Sequence, residues 1–449
     1  MTPRSADGRR LIRDALSDGG VRGLGRDLAL FQLYRFLSTS YLFAPVLVLF
    51  FGARGLSFTQ ITLLNTVYAA TAVLFEVPTG LLADRWGRRW AMVLGSLMMA
   101  GGCAIDYFGH SFAMFAVGEG LLALGMTLTS GADSAWLYDL LLDAGRENEY
   151  RRKEGVASAA KLVGAAVALV VGGRLGSRDL ASTYLVTALV CLCASATALF
   201  LRERRVTAPR RRAPFAAYRE MAQSARTVVA HRPLLFAVLL STLLFTLLRM
   251  AIYLHQPYLS AAGYDLTHVG DRMAMLSVVA ALGAYFFDDL RRHLGERALV
   301  LGLPLVLALS YAVLGQYAAR WGLTMLLLQS IVNGIYSPFS KALLNREILD
   351  SSHRATALSV ESMVRRLAFG AFAPLAGVMI DRYGLAGGLD ACAAFGLLGT
   401  LALAIHLARR RATFGEGFEG ERTPTPLPEI QPAPALPQAA EARRISAKS

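Results

Sequence analysis

Charge is what this chain has least of. Asp, Glu, Lys and Arg make up 17% of its 449 residues, where a soluble domain carries roughly a quarter. With 55% hydrophobic residues and a mean hydropathy of +0.44, that deficit excludes an ordinary soluble domain. Lysine is scarcer still, four against 42 arginines, a bias of GC-rich bacterial coding that says nothing about chemistry. The four cysteines (Cys103, Cys191, Cys193 and Cys392) fall inside apolar stretches, without metal-ligand spacing or a loop position suited to a disulfide. They read as apolar fillers, and neither a metal nor a cofactor is expected. No GxxxxGK[ST] loop occurs, and no soluble segment is long enough to hold a nucleotide-binding domain. An enzyme is not expected either. The densest acidic group, Asp139, Asp143, Glu147 and Glu149, has no histidine beside it and reads as a solvated helix end.

What the chain does have is long apolar runs. A bilayer core takes about 20 apolar residues per helical span, and twelve such stretches divide the sequence: 28–52, 58–82, 90–109, 112–141, 154–175, 181–201, 233–261, 267–287, 298–318, 322–348, 356–380 and 385–408. The expected fold is an all-α polytopic membrane protein of twelve transmembrane helices. The net charge of +14 does not imply nucleic acid, because its distribution is periodic. Arginines crowd at alternate connections: Arg9, Arg10 and Arg13; Arg85, Arg88 and Arg89; Arg146, Arg151, Arg152 and Lys153; Arg202, Arg204 and Arg205; Arg291, Arg292 and Arg297; Arg409 to Arg411. The intervening connections hold single cations or none, among them Arg54, Arg178, Arg320 and Arg382. By the positive-inside rule both termini lie in the cytoplasm, and the expected location is a bacterial inner membrane. The first span is expected to serve as its own insertion signal.

The order of elements divides the chain into an N-terminal segment (1–26), a six-helix bundle (27–201), a basic connector (202–231), a second six-helix bundle (232–411) and a Pro/Ala-rich tail (412–449) expected to be disordered. The halves echo one another. FFDDLRRHLGER (286–297) repeats, in worn form, GLLADRWGRR (80–89) at the equivalent place, so the two bundles are expected to be pseudo-symmetric.

GLLADRWGRR is the most specific stretch of the chain. Gly80, Asp84, Arg85, Gly87, Arg88 and Arg89 stand at the positions of the loop signature between spans two and three of the major facilitator superfamily, which this sequence resembles over about residues 25–410. FEVPTG (75–80), SGADSAWLYD (130–139) and QPYL (256–259) resemble a bacterial branch whose members are assigned as permeases. The resemblance implies secondary transport by alternating access, with this loop fastening the two halves on the cytoplasmic side while the cavity faces out. Two features depart from drug antiporters of that superfamily. Glu119 stands in the fourth span where they carry an arginine, and Ala168 and Leu169 replace their Gly-Pro pair between Gly164 and Gly172, Gly173.

Ionisable groups inside a membrane are costly and mark function. The resemblance implies a cavity lined by spans one, four, seven and ten, and each carries a polar stripe at helical spacing. These are Gln32, Arg35 and Thr39; Glu119, Ser130 and Asp133; Thr242, Thr246, Arg249, Tyr253 and Gln256, with Leu248 off that face; and Asn333, Tyr336, Ser337 and Ser340. Six charges lie at similar depth, roughly 10–15 Å in at about 1.5 Å per residue. They are Arg35, Lys161 and Arg365 against Glu76, Asp133 and Glu361, expected either to close the inner gate as an ion-pair network or to carry the coupling proton at Asp133 or Glu76. His255 and His406 read as a loop-proximal polar group and a span-end residue.

The expected function is a monomeric secondary transporter of a small organic solute. Proton-coupled efflux by antiport is the first reading, and proton symport or uncoupled uptake the alternative. A non-transporting sensor or scaffold acting through the tail is the third.

Overall fold

In the computed structural model the described residues are 19–203, 225, 226, 228–316, 318–347 and 351–411. Among them every regular element is helical and none is a strand. The first half comprises α1 (Gly19–Leu37), α2 (Leu47–Ala53), α3 (Phe58–Trp86), α4 (Arg88–Phe108), α5 (Phe112–Thr129), α6 (Ala132–Asp143), α7 (Tyr150–Gly176) and α8 (Leu180–Leu199). The second comprises α9 (Arg232–Ala261), α10 (Leu266–Tyr285), α11 (Phe287–Leu294), α12 (Glu296–Gln316), α13 (Ala318–Glu347) and α14 (Ser351–Arg411). Eight stretches of the described residues are long and apolar enough to cross a membrane, nine if bent α10–α11 counts as one. One of the eight, Ala357–Ala408, is 52 residues long and broken at Gly384, whose φ of 73° ends one helix and starts the next. The chain is thus an all-α polytopic membrane protein, while this criterion does not reach the expected count of twelve. The segment 1–18, most of the connector (204–224) and the tail lie outside the described residues.

Three expected boundaries shift. The first helix starts by Gly19 rather than at 27, and buried Asp27 pairs with Arg202 at 2.9 Å, fastening the start of the connector to the first helix. The first span is interrupted between Leu37 and Leu47 instead of running unbroken over 28–52. Thr39 and Ser40 turn their hydroxyls back onto the carbonyls of Arg35 and Phe36 at 3.0 and 2.8 Å, competing with the helical ladder, and Pro45 has no amide to give it. Irregular backbone at membrane depth must be satisfied by protein. Here Thr187 accepts from the Leu42 amide at 3.0 Å, while Gln256 of α9 donates to the Ala44 carbonyl at 2.7 Å and accepts from the Val48 amide at 2.9 Å. The fourth span is likewise cut, at Ser130 and Gly131 (φ 81°), instead of running through 112–141.

The internal repeat is visible in matched positions. Gly87 and Gly295, both at positive φ, make the reversals at the two echoing motifs. At the same place in each half an ion pair joins neighbouring helices with the signs exchanged: Arg88 of α4 to Asp139 of α6 at 2.5 Å, and Glu296 of α12 to Arg346 of α13 at 2.6 Å.

Among the described residues the contacts between the two halves gather towards one end of the molecule. A single apolar cluster runs from Phe51, Ile61, Leu64 and Tyr184 of the first half into Leu244, Met250 and Tyr258 of the second. Residues at the arginine-rich end of the first half, among them Leu24, Phe31, Trp136 and Leu201, form a separate cluster. The contacts between halves that the glycines reveal fall at the same, arginine-poor end: Gly270 of α10 lies against Leu169 and Gly173 of α7, and Gly377 of α14 lies against Thr59 of α3.

Candidate translocation site and its two ends

Helices α3 and α14 pack antiparallel. Thr66 donates to the Gly370 carbonyl at 2.8 Å, and seven residues back along α3, Thr59 meets α14 at Gly377, seven residues further on. At the arginine-poor end the contact finishes in a cap. The Asp381 carboxylate accepts from the amides of Phe58 and Thr59 at 2.8 and 2.9 Å and from the Thr59 hydroxyl at 2.5 Å. An anion there satisfies free amides at a helix start and complements its dipole. The arginine-rich end of the same helix is open. Asp84 and Arg85 are exposed, and a Cβ added at Gly80 would meet nothing within 4 Å. Arg88 and Arg89 hold the first half together, binding Asp139 and, at 2.7 Å, Glu203.

Five of the six charges fall into two networks, one per half, and Glu76 joins neither. Arg35, 3% exposed, binds Asp133 and, at 2.5 Å, Glu154, which also accepts from the Ser134 hydroxyl at 3.0 Å. The break at Gly131 puts Asp133 in the first turn of α6, where a carboxylate is favoured. Lys161 stands within electrostatic reach of Glu154, and its carbonyl accepts from Thr39 at 3.1 Å. In the second half Glu361 accepts from Ser241 at 2.6 Å and pairs with Arg365 at 3.7 Å, and Arg365 donates to the Tyr336 hydroxyl at 3.1 Å. Among the described residues no ion pair joins the two networks, and the Glu76 carboxylate has no partner. The expected single gate network is therefore not assembled here, because the ends of the halves that would carry it are apart.

Between the halves lie charges without partners. Arg249 of α9 and Arg366 of α14 are half-buried, and Glu119 of α5 is 8% exposed. Among the described residues none of the three makes a hydrogen bond or ion pair, although the field of Arg249 reaches Glu119, and Arg249, Arg366 and Glu119 all act on the Tyr68 phenol. Beside them the Asn65 amide donates across the interface to the Tyr253 hydroxyl at 2.5 Å. Of the other expected cavity residues, Gln32 is half-buried and Ser130 caps α5 at its break. Thr242, Thr246 and Ser340 are buried, Ser337 is exposed, and Gln256 is committed to the interrupted first span. A neighbouring cavity of about 220 Å³ is lined by Ala44, Leu248, Ile252, His255, Ser277 and Asn333, among others. Leu248, buried and off the polar stripe of α9, lines this cavity. His255 is no loop residue: it lies within α9 and bonds Gln329 at 2.9 Å, which donates to Ser310 at 2.9 Å.

Sequence reasoning missed Glu154, Asn65, Arg366 and Asp381. Glu154 follows Arg151, Arg152 and Lys153 directly at the start of the expected span 154–175, where it reads as part of a solvated helix end, and Asn65 and Arg366 carry no periodic signal. Asp381 had one. Gly377, Asp381, Arg382 and Gly384 repeat the spacing of Gly80, Asp84, Arg85 and Gly87.

Two helical halves, closed on each other at one end and parted at the other around unpaired charges, define a membrane transporter. The family model of the Major Facilitator Superfamily matches residues 29–369, and the chain belongs to that superfamily; it is a transporter, not an enzyme. No curated protein matches in sequence. Similar solved structures share the fold: the nucleoside transporter NupG (14% identity, 86% of this chain and 99% of that one, TM-score 0.72), a POT family transporter in complex with 5-aminolevulinic acid (11%, 86% and 96%, 0.65), and a bacterial homologue of the human lysosomal transporter Spinster in an inward-facing, occupied conformation (15%, 88% and 98%, 0.64).

Proposed function

We propose that this chain moves a small organic solute across the bacterial inner membrane by alternating access, exchanging it for protons, with twelve crossings and both termini in the cytoplasm. The arginine-rich end is then cytoplasmic, and the structure corresponds to the inward-open state. One observation carries this reading: of two like-spaced Gly-Asp-Arg-Gly ends on the paired helices α3 and α14, that at Asp381 is fastened and that at Asp84 is free. A rocking transporter needs a fastening that holds at one end while the other is released. Proton exchange is supported by carboxylates that no cation holds, Glu119 and Glu76, and by Asp133, whose partner Arg35 is shared with Glu154.

The test is cysteine accessibility at positions near both ends in purified, reconstituted protein, followed by flux in the same vesicles. Both ends label in turn if the reading holds, and a pH gradient drives solute outward. Labelling confined to one end overturns alternating access. Flux in the direction of the proton gradient replaces exchange with symport.

A further inference from the structure

Where the interior of this protein can pair a charge, it does. Arg35 has two carboxylates and Arg365 has Glu361, Tyr336 and the face of Phe245 at 4.9 Å. Four charges break that habit: the three central ones and, beside Glu119, fully buried Asp106 of α4, whose two carboxylate oxygens have no partner among the described residues. Arg249 and Arg366 come from the second half and Glu119 from the first; their fields meet at Tyr68, where the halves face each other, and among the described residues none of the three has a bond to protein. A charge withdrawn from bulk water without a counter-charge is costly, and here positive charge stands on one wall and negative on the other.

That arrangement discriminates among solutes. A simple anion satisfies the arginines and is repelled by Glu119. A simple cation does the reverse, meeting two arginines. A neutral solute leaves all three unanswered. Only a molecule with both charges completes each wall, and the Tyr68 and Tyr253 phenols beside them offer flat apolar surface to its middle. We propose, building on the transport reading above, that this is the binding site of a small zwitterion whose anionic group lies on Arg249 and Arg366 and whose ammonium lies on Glu119. Such a ligand also binds both halves at once, which a solute that is to move with their rocking must do.

The experiment uses the full chain purified in detergent and follows its Tm, since a ligand of the native state raises apparent stability. The probes are glycine, 4-aminobutyrate and 6-aminohexanoate, with butyrate and butylamine as single-charge controls. At least one amino acid is expected to raise the Tm at a concentration about tenfold below that needed for either control. Arg249→Gln and Glu119→Gln each remove that advantage, while Arg178→Gln, in an exposed loop far from the site, keeps it. Equal responses to butyrate and the amino acids, a response insensitive to Glu119→Gln, or no response to any amino acid overturns the assignment. Cysteine labelling of the two ends, which needs no ligand, is run on the same preparations. If both ends label while the probes fail, the substrate class falls and the transport reading stands. If only one end ever labels, the transport reading falls with it.

Discussion

The residues Gly80–Gly87 and Gly377–Gly384 share one spacing and sit at opposite ends of two helices that lie against each other. At the second, Gly377 admits the α3 backbone, with Thr59 Cα 2.7 Å from where a Cβ would stand, and Asp381 caps the start of α3. At the first, nothing approaches Gly80, and Asp84 faces solvent. The packing is antiparallel, so each step up α3 matches an equal step down α14. Carried along α3 to Asp84, the same register arrives at the first turn of α14, which begins at Ser351. The spacing of the two ends is therefore reciprocal, and at the Asp381 end it works as a small residue that allows close approach and, four residues on, an aspartate that meets the amides at the start of the partner helix. In this structure the Asp381 end is closed and the Asp84 end is open.

The most damaging way to break this symmetry is to fill the small position. Gly377→Leu places atoms where the α3 backbone now lies, so the fastened end cannot close, and counterflow is expected to fall by at least about tenfold, as overpacking costs 1–3 kcal/mol or more. Gly80→Leu meets nothing in the present state and leaves thermal stability unchanged, yet blocks closure of the other end and lowers transport to a similar degree. Cysteine labelling separates them: Gly377→Leu increases labelling near Asp381, and Gly80→Leu increases it near Asp84. Identical labelling patterns would show that the two motifs do not act at opposite ends.

Removing one charge is milder. Asp381→Asn weakens a cap worth about 0.5–2 kcal/mol, which biases the balance of states about 2- to 30-fold towards opening at the arginine-poor end. Asp84→Asn biases it the other way, transport falling in both. The two carboxylates are far apart and share no partner, so their effects add, and the double variant is expected to return the labelling ratio close to that of the native chain. A double variant worse than either single in that ratio would mean that Asp84 serves insertion alone.

How much of this could be read beforehand depends on what a signal is made of. The all-helical membrane fold and the first motif are properties of composition, periodicity and local spacing, and Gly87 and Gly295 of the two echoing motifs both stand at positive φ. The interruptions at Ser38–Val46 and Ser130–Gly131 were hidden because apolar residues continue through them. What replaces the helical ladder there is Gln256, more than 200 residues away, and no local pattern reports such a partner. The charges illustrate the same limit. Their places along the spans were legible, but pairing depends on which helices touch in one conformational state, so Arg35 pairs with Asp133 and also with Glu154, which no spacing announces. Asp381 was legible in principle, since its spacing repeats that of Asp84, but its span carries a single arginine and so lacks the cluster that made the first motif visible.

The two halves also differ in their buried networks, and Asp133→Asn sharpens that difference. Spans one, four and five supply Arg35, Asp133 and Glu154; their counterparts seven, ten and eleven supply Ser241, Tyr336, Glu361 and Arg365. The first network sets two carboxylates around Arg35, with Lys161 in electrostatic reach of Glu154, whereas the second has one carboxylate and one arginine. The expected outcome is loss of gradient-driven flux with exchange at zero gradient retained, measured in the same vesicles. Loss of both would make the triad purely structural, and retention of both would move coupling to Glu119 or Glu76.

The smallest expected effect concerns the ion pairs that close each half at the arginine-rich end. Arg88–Asp139 and Glu296–Arg346 occupy the same place with the signs exchanged, which implies that attraction matters there and polarity does not. All four side chains keep part of their surface open, from 21% for Asp139 to 45% for Arg346. Water therefore screens both pairs, and each contributes about 0.2–1 kcal/mol. Reversing one residue, Glu296→Arg, sets two cations against each other and lowers the Tm slightly; reversing both, Glu296→Arg with Arg346→Glu, restores it. The same exercise at Arg88 and Asp139 is less forgiving. Arg88 also donates to the Ala135 carbonyl at 2.5 Å, a bond that Glu cannot make, so the double reversal there regains only the electrostatic part. If both double variants recover fully, the Ala135 bond adds nothing. If neither does, position-specific geometry rather than charge unites the two halves at this point.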